Sequence, residues 1–403
     1  MKAAQNRNIV SVAWSDHIIF GEGDGRLDTV PALRRRMRRW KTDFGANIVH
    51  WRCTRDRING KFFHGRGYKH FAKSRILALQ WDDFKEAPKC AHDLGMKIFL
   101  YVALFDEGWP LLPKKVREVS YHNKMHCQHV SWQSAFSKNN PQYAMVDRSL
   151  KNRHWGVLCL AYPEVRSHLI RRFKRLLAAG DFDGLFVCLR SQSRPADVAD
   201  QFGFNRPVRD KFLSRYGKDI WTEDFDLSRW QDLLGEYLTV FITELKESIN
   251  KLNLLLAVGA PRGNILGPPL GNSTLAWKTW VKKGILDHFV IDQNSSQCPS
   301  MWHHLWPMHR GYGYLQNYLD RSNMNALEKD LTSVYQPVFQ KQRAKLYLAR
   351  QWHQRSPDKE RDLLGHPCVE GLVFSSFRHD NPGPIRRNDW TVTHPASDPD
   401  NTL

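Results

Sequence analysis

No stretch of this chain approaches the ~20 consecutive apolar residues that a membrane-spanning helix requires, although 41% of its 403 residues are hydrophobic. A large core without a helical membrane anchor is the first expectation. The seven cysteines include no CxxC pair. Cys53, Cys159 and Cys188 lie inside apolar runs, where a free thiol behaves as a small hydrophobe, and they read as reduced core residues. No GxGxxG or Walker-type loop follows the first apolar run, which argues against an open nucleotide-binding sheet. There is no HExxH. The opening MKAAQNRNIV lacks the apolar stretch and small-residue cleavage site of a secretion signal, so a cytoplasmic location is expected. A net charge of +19 comes without a basic tail. Lys and Arg are instead spread over amphipathic segments such as PALRRRMRRWK and LIRRFKRLL. On that footing neither nucleic acid nor a membrane is the expected partner, an acidic small substrate accounts for a positive cleft, and a homodimer is left open.

What is present is an alternation. Short β-branched or apolar runs ending in polar residues are separated by longer helix-period segments, the pattern of parallel βα units. Eight runs occur: IVSVAWSD (9–16), NIVHWRC (47–53), KIFLYVALFD (97–106), GLFVCLR (184–190), LNLLLAVGA (252–260), LDHFVIDQN (286–294), YGYLQNY (312–318) and VEGLVFSSF (369–377). Helical periodicity covers 29–43, 83–95, 164–179, 229–250, 274–283 and 334–355. Eight strands at this spacing predict a closed (β/α)8 barrel, an α/β fold, over residues 1–385, followed by a polar tail at 386–403. The longest excursion, 107–182, separates the third and fourth strands and exceeds ordinary loop lengths, which marks it as functional.

In such a barrel the chemistry sits on the loops that follow the strands. The strand ends carry Asp16 and His17, Arg52 with Arg55-Asp56-Arg57, Asp106 and Glu107, Arg190 with Gln192 and Arg194, Arg262 and Asn264, Asp292 and Asn294, Asn317, and Arg378-His379-Asp380. A two-carboxylate glycosidase of the common barrel type places Glu after the fourth and seventh strands, where this reading finds Arg190 and Asn317. Arginine forks instead suit a ligand that brings its own carboxylate or phosphate. The plainer alternative is that some of these arginines pair with rim carboxylates, Arg55-Asp56-Arg57 above all. Within the long excursion, His122, His126 and His129 are spaced HxxxHxxH. Without a carboxylate ligand in register they suggest a proton-transfer histidine more than a metal, and no cofactor is expected.

The segments WGVLCLAYPEVRSHL (155–169), DFDGLFVCLRSQSR (181–194), QFGFNRPV (201–208) and DIWTEDFDLSRWQDLLGEYLTVFITEL (219–245) resemble the glycosyl-hydrolase-like barrels related to family 10-like hydrolases, a likeness running from about Ile9 to Phe377. Many of those relatives end the fourth strand in Asp, where this chain has LFVCLR. That departure makes it similar to glycoside hydrolase family 156, inverting exo-sialidases on the same kind of barrel. The resemblance implies Asp16 in VAWSD and His122 in VREVSYH as the catalytic pair, with Asp16 the base and His122 the acid, the reverse assignment also being open. It implies Arg117 and Arg190 as the carboxylate clamp, and Asn317 joins them as a substrate-binding candidate. Two other readings use the same residues. One is a barrel enzyme acting on a uronic-acid polysaccharide, with Trp109, Trp132 and Trp155 as stacking surfaces. The other is a non-catalytic barrel that captures an acidic glycan.

Overall fold

The computed structural model describes residues 7–12, 29–53, 81–108, 110, 133–189, 200–266, 273–291, 327–350 and 357–375. Eight parallel strands close into a barrel: β1 (Asn8–Val12), β2 (Ala46–Arg52), β3 (Lys97–Ala103), β6 (Gly184–Cys188), β7 (Leu255–Gly259), β8 (His288–Ile291), β9 (Lys345–Arg350) and β10 (Val369–Ser375), with β10 pairing back onto β1. Around it lie α1 (Val30–Phe44), α2 (Asp83–Asp93), α4 (Pro163–Leu177), α5 (Arg206–Tyr216), α6 (Leu227–Asn250), α7 (Trp277–Lys282) and α10 (Pro357–Gly365). A further helical segment runs from α8 (Leu327–Asp330) through a π-helical turn (Leu331–Tyr335) into α9 (Gln336–Phe339). The excursion between β3 and β6 contains α3 (Ala135–Asn139) and a two-stranded antiparallel hairpin, β4 (Ala144–Val146) with β5 (Arg153–Leu158), before α4. Among the described residues no helix is long and apolar enough to cross a membrane.

The helices follow from their patterning. In α1 the residues Leu33, Met37 and Trp40 recur at intervals of four and three and are fully buried, while the arginines between them face outward. Thr29 caps the first turn by accepting a hydrogen bond from Ala32 N, and Gly45 ends the helix at φ 58°, a left-handed conformation that costs glycine little. Long α6 buries Trp230, Leu238, Ile242, Leu245 and Ile249 along one face.

Strand register is set at the foot of the barrel. Asp183, just before β6, donates its backbone N–H to Ile98 O (2.9 Å) and accepts from Ile98 N on its carboxylate (2.8 Å). Asp287, just before β8, repeats this with Leu256, at 2.8 and 2.7 Å. Asn8 opens β1 by accepting from Leu372 N (2.9 Å) and donating to Phe44 O (2.7 Å), which fastens the closing seam. The aspartates that punctuate AAGDFDGLFV and LDHFVI in the sequence are therefore clamps between neighbouring strands.

The barrel interior is filled by alternate strand residues, among them Ile9, Ile48, Phe99, Tyr101, Phe186 and Tyr347. Two histidines belong to it. His50 stacks on Phe186 (4.0 Å between centroids, 17°) and leans on Phe99, and Phe99 in turn stacks on His288 (5.3 Å, 14°), which meets Tyr347. Neither ring nitrogen of His50, which is 0% exposed, has a hydrogen-bond partner among the described residues. Burial holds His50 well below the ordinary imidazole range, with His288 adding to the effect, and burial pushes His288 down to about 4. Gly184 is required beside them. A Cβ there would meet Leu255 O at 2.6 Å and the Phe99 ring at 2.9 Å.

The seventh barrel strand differs from the sequence expectation. It is β9, Lys345–Arg350, inside the segment read as helix 334–355, and the run 312–318 lies outside the described residues. The helix stops at Phe339, and the turn that follows, Gln340 to Arg343, contains neither Gly nor Pro, so no breaker marked the change of period. Asn317 therefore does not close the seventh strand; Arg350 does. The other strands lie where the alternation put them, ending one to four residues earlier among the described positions.

Two predictions follow from this architecture. Asp287→Ala should destabilise the fold by about 1.5–3 kcal/mol in urea unfolding, the range for losing hydrogen bonds to a charged group. A loss below about 0.5 kcal/mol would show that the backbone ladder alone fixes the register. For His288 the folded pKa lies below the unfolded value of 6.5, so its contribution is fully present above about pH 6.5 and is lost as pH falls toward 4. At pH 5 that amounts to ~2 kcal/mol, and His288→Phe should shrink the stability difference between pH 7 and pH 5 by that order.

Candidate active site

The last inward-facing residues of seven of the eight barrel strands outline the floor of the mouth at the C-terminal end. These residues are Ser11, Arg52, Ala103, Cys188, Gly259, Val290 and Ala349 on β1, β2, β3, β6, β7, β8 and β9. Below them the interior holds Phe99, Tyr101, Phe186 and Tyr347. The barrel is thus packed with aromatic bulk toward its foot and lined with small side chains toward its mouth. Arg52 is the one long charged residue among the described members of this floor. Only 4% exposed, it donates from Nη2 to Asp106 Oδ2 at 3.1 Å and lies 5.0 Å from the centre of the Tyr101 ring. Beside it, the indole N–H of Trp51 donates to Asp83 at the start of α2 (3.0 Å).

Adjacent Glu107 has a different task. It is 1% exposed and pairs with Arg172 of α4 at 2.5 Å. Its backbone N–H donates to Gly156 O, and its carbonyl accepts from Ser134 N. Glu107 is therefore a tether that ties the excursion after β3 to the β4–β5 hairpin, to α3 and to α4. Nearby His168 stacks on Phe136 (3.6 Å, 12°) and is pushed down to about 4, first by burial and then by Arg172. Asp147 anchors the hairpin turn by accepting from Asn152 N, Asn152 Nδ2 and Ser149 Oγ, and these bonds hold its carboxyl below the usual range against the opposing effect of burial.

On the far side of the mouth, the turn after β7 is fastened twice to the segment containing the π-helical turn. Arg262 Nη1 lies 3.2 Å from Asp330 Oδ2, and Gly263 N–H donates to the Tyr335 hydroxyl at 2.9 Å. Tyr335 is itself stacked on Trp277 (4.6 Å, 23°). Two of the rim arginines read from the sequence, Arg52 and Arg262, are thus held by carboxylates. Arg350 was missed because its strand was read as helix; the alternation in KLYLAR, ending in a charge, was the available signal.

Asp16, Arg117, His122, Arg190 and Asn317 all lie outside the described residues, as do His126, His129 and Arg55-Asp56-Arg57. Among the described residues no group of three or more His, Cys, Asp or Glu side chains is arranged to hold a metal ion. Cys53, Cys159 and Cys188 are buried free thiols, and burial pushes Cys159 up to about 12.

The architecture defines a (β/α)8 barrel whose mouth has a small-residue floor. No family model matches the chain, and no curated protein sequence does. Solved structures do. The catalytic domain of the β-amylase from Paenibacillus polymyxa is 9% identical with a TM-score of 0.52, over 95% of this chain and 96% of that one. The glycoside hydrolase domain of PgaB (BpsB) from Bordetella bronchiseptica is 12% identical with a TM-score of 0.49, over 93% and 96%. The α-L-fucosidase isoenzyme 2 from Paenibacillus thiaminolyticus is 12% identical with a TM-score of 0.47; 97% of this chain matches, but it spans only 48% of that enzyme. At 9% identity the likeness to the β-amylase domain shows the fold alone.

The Arg52–Asp106 pair yields a direct test. Both side chains are buried, so Arg52→Met should cost about 3–5 kcal/mol, whereas Arg52→Met with Asp106→Leu should recover most of that loss. Equal destabilisation of the single and double variants in urea unfolding would show that the pair is not the coupled unit.

Proposed function

We propose that this chain is a glycoside hydrolase acting on an acidic terminal sugar, and more specifically an inverting exo-sialidase. The observation that carries the reading is the floor of the barrel mouth. Toward the mouth the interior shrinks to Ser11, Ala103, Cys188, Gly259 and Ala349 above the aromatic foot, with Arg52 as a cation beside them. The β-amylase catalytic domain offers a precedent for such a barrel at similar domain length, although a fold alone does not fix chemistry.

Because Arg52 is offset by Asp106, recognition of a substrate carboxylate falls to Arg117 and Arg190. A sialic acid carries its carboxylate on the anomeric carbon. The site must neutralise that charge while leaving a path for water, which a pair of guanidinium forks can do. In an inverting reaction one group activates the water and another protonates the departing oxygen from the opposite side. Asp16 takes the first role and His122 the second in this proposal.

The test is turnover on a panel of fluorogenic acidic and neutral glycosides. Asp16→Asn and His122→Ala should each lower the rate by about 10²- to 10⁴-fold, with melting temperatures near the parent's. Arg117→Lys and Arg190→Lys keep the charge but lose the fork, and each should weaken binding of free sialic acid by roughly 1.5–3 kcal/mol with little change for its methyl ester. Binding of the acid without cleavage of any glycoside would replace the enzyme by a glycan-binding barrel. Cleavage of neutral sugars alone would remove the acidic substrate.

A further inference from the structure

The chain's net charge of +19 is not spread evenly over the described surface. On the flank formed by α5 and α6 most cations are matched, Lys211 and Lys251 being the exceptions. Arg209 pairs with Asp210 and Asp219, Arg215 with Glu236, Lys218 with Glu223, Arg229 with Asp226, and Lys246 with Asp287. The flank formed by α1, α2 and α4 is different. These helices follow three neighbouring barrel strands, β1, β2 and β3. An Arg34–Asp93 ion pair joins α1 to α2, and the Phe84–Phe182 contact (5.2 Å) joins α2 to the turn after α4.

Each of the three helices presents a pair of cations about one turn apart: Arg35 and Arg38 on α1, Lys85 and Lys89 on α2, Arg171 and Arg175 on α4. All six are exposed, and none has an acidic partner among the described residues. Their field is felt locally. Arg171 and Arg175 are among the groups that help push His168 down to about 4, after burial and Arg172. A hollow of about 370 Å³ on this face is lined by Lys85, Lys89 and His92 together with Asp93 and Asp181. The face also carries acids: Asp43 and Asp93 pair with Arg39 and Arg34, Asp181 lies 3.4 Å from His92, and Glu86 sits between Lys85 and Lys89 on α2.

We infer that the α1–α2–α4 face docks the phosphate backbone of a nucleic acid duplex, independently of base sequence and away from the barrel mouth. α1 packs on α2, and α4 follows the next barrel strand, so the three pairs lie on consecutive helices around the barrel, a spread of positive charge suited to the dense negative charge of a duplex. The large hydrophobic residues exposed among the described ones, Leu150, Leu227, Val240 and Leu252, lie on other elements. The face therefore offers no apolar wedge for a lipid surface and no exposed aromatic platform for unstacked bases, which leaves phosphate contacts as its chemistry. Read along the chain, Lys and Arg were too scattered to indicate such a partner. The fold gathers them, because residues 35, 85 and 171 belong to helices behind adjacent strands.

The experiment is a salt titration of binding to a fluorescent duplex of about 20 base pairs, a length of roughly two helical turns, using the full chain. The parent should bind with a log–log salt slope near −5, from about 0.9 per neutralised phosphate over six contacts. Changing Arg35, Arg38, Arg171 and Arg175 together to Glu should reduce that slope by about four, at roughly one per lost contact, and weaken binding at least 100-fold at low salt. A control with the same change of charge, Lys278, Lys282, Lys283 and Lys341 to Glu, should keep most of the parent affinity. Should the glutamate set fail to fold, the same four positions changed to Gln carry the comparison, with the parent's melting temperature as the check. The inference is overturned if the parent leaves the duplex unbound at 50 mM salt, or if the control weakens binding as much as the patch variant. It is equally overturned if the chain binds phosphatidylserine vesicles or heparin but not the duplex.

Discussion

An aspartate at the foot of a strand, bonded in both directions to one residue of the strand beside it, fixes where that strand begins. Asp183 does this for β6 against Ile98, and Asp287 for β8 against Leu256. A shift of one residue in either would send every inward side chain outward. Phe186 would leave the stack it makes with His50, and Cys188 would leave the floor of the mouth. Asn8 performs the related task at the β1–β10 seam, without which the sheet would keep two open edges. The geometry of the mouth is inherited from contacts made at the opposite end of the barrel.

Along its axis the interior changes character. Toward the foot it is a column of rings, in which the two imidazoles stay neutral because burial disfavours their charge. Toward the mouth the side chains shrink to Gly, Ala, Ser, Cys and Val, with Arg52 and Asp106 as a buried pair. Large rings fill the lower half, and smaller side chains close the upper half. Glu107, next in sequence to Asp106, turns the other way and fastens the long excursion to α4 through Arg172. One dipeptide thus serves the mouth with its first residue and the scaffold with its second.

Much of this was legible in the sequence. Short apolar runs separated by helical segments of period 3.6 were enough for the closed barrel, because parallel strands buried on both faces leave a strong apolar signature. The Asp and Gly that punctuate strand starts were visible as well, though not that the aspartates bond sideways to a neighbouring strand. The seventh strand was not legible. KLYLAR follows a helix with no Gly or Pro between them, and a run of six residues with apolar positions at both spacings satisfies either period. That error carried Asn317 to a strand end that belongs to Arg350. Pairing was also beyond sequence reading: Arg52 meets Asp106 across 54 positions, and Arg172 meets Glu107 across 65.

The π-helical turn at Leu331–Tyr335 holds one more residue than an α-helical turn would. Asp330 precedes it and grips Arg262, while Tyr335 ends it and grips Gly263, so the extra residue lies between two grips on the same loop. Losing a single codon here would let the turn close as an ordinary α-helical one, so the residues on either side of it would keep nearly the same facing. In a regular helix the same in-frame deletion would turn everything after the gap by about 100° around the axis. A gene could therefore drop one codon within this turn and still hold both anchors, where the same loss in a neighbouring helix would misplace every residue that follows.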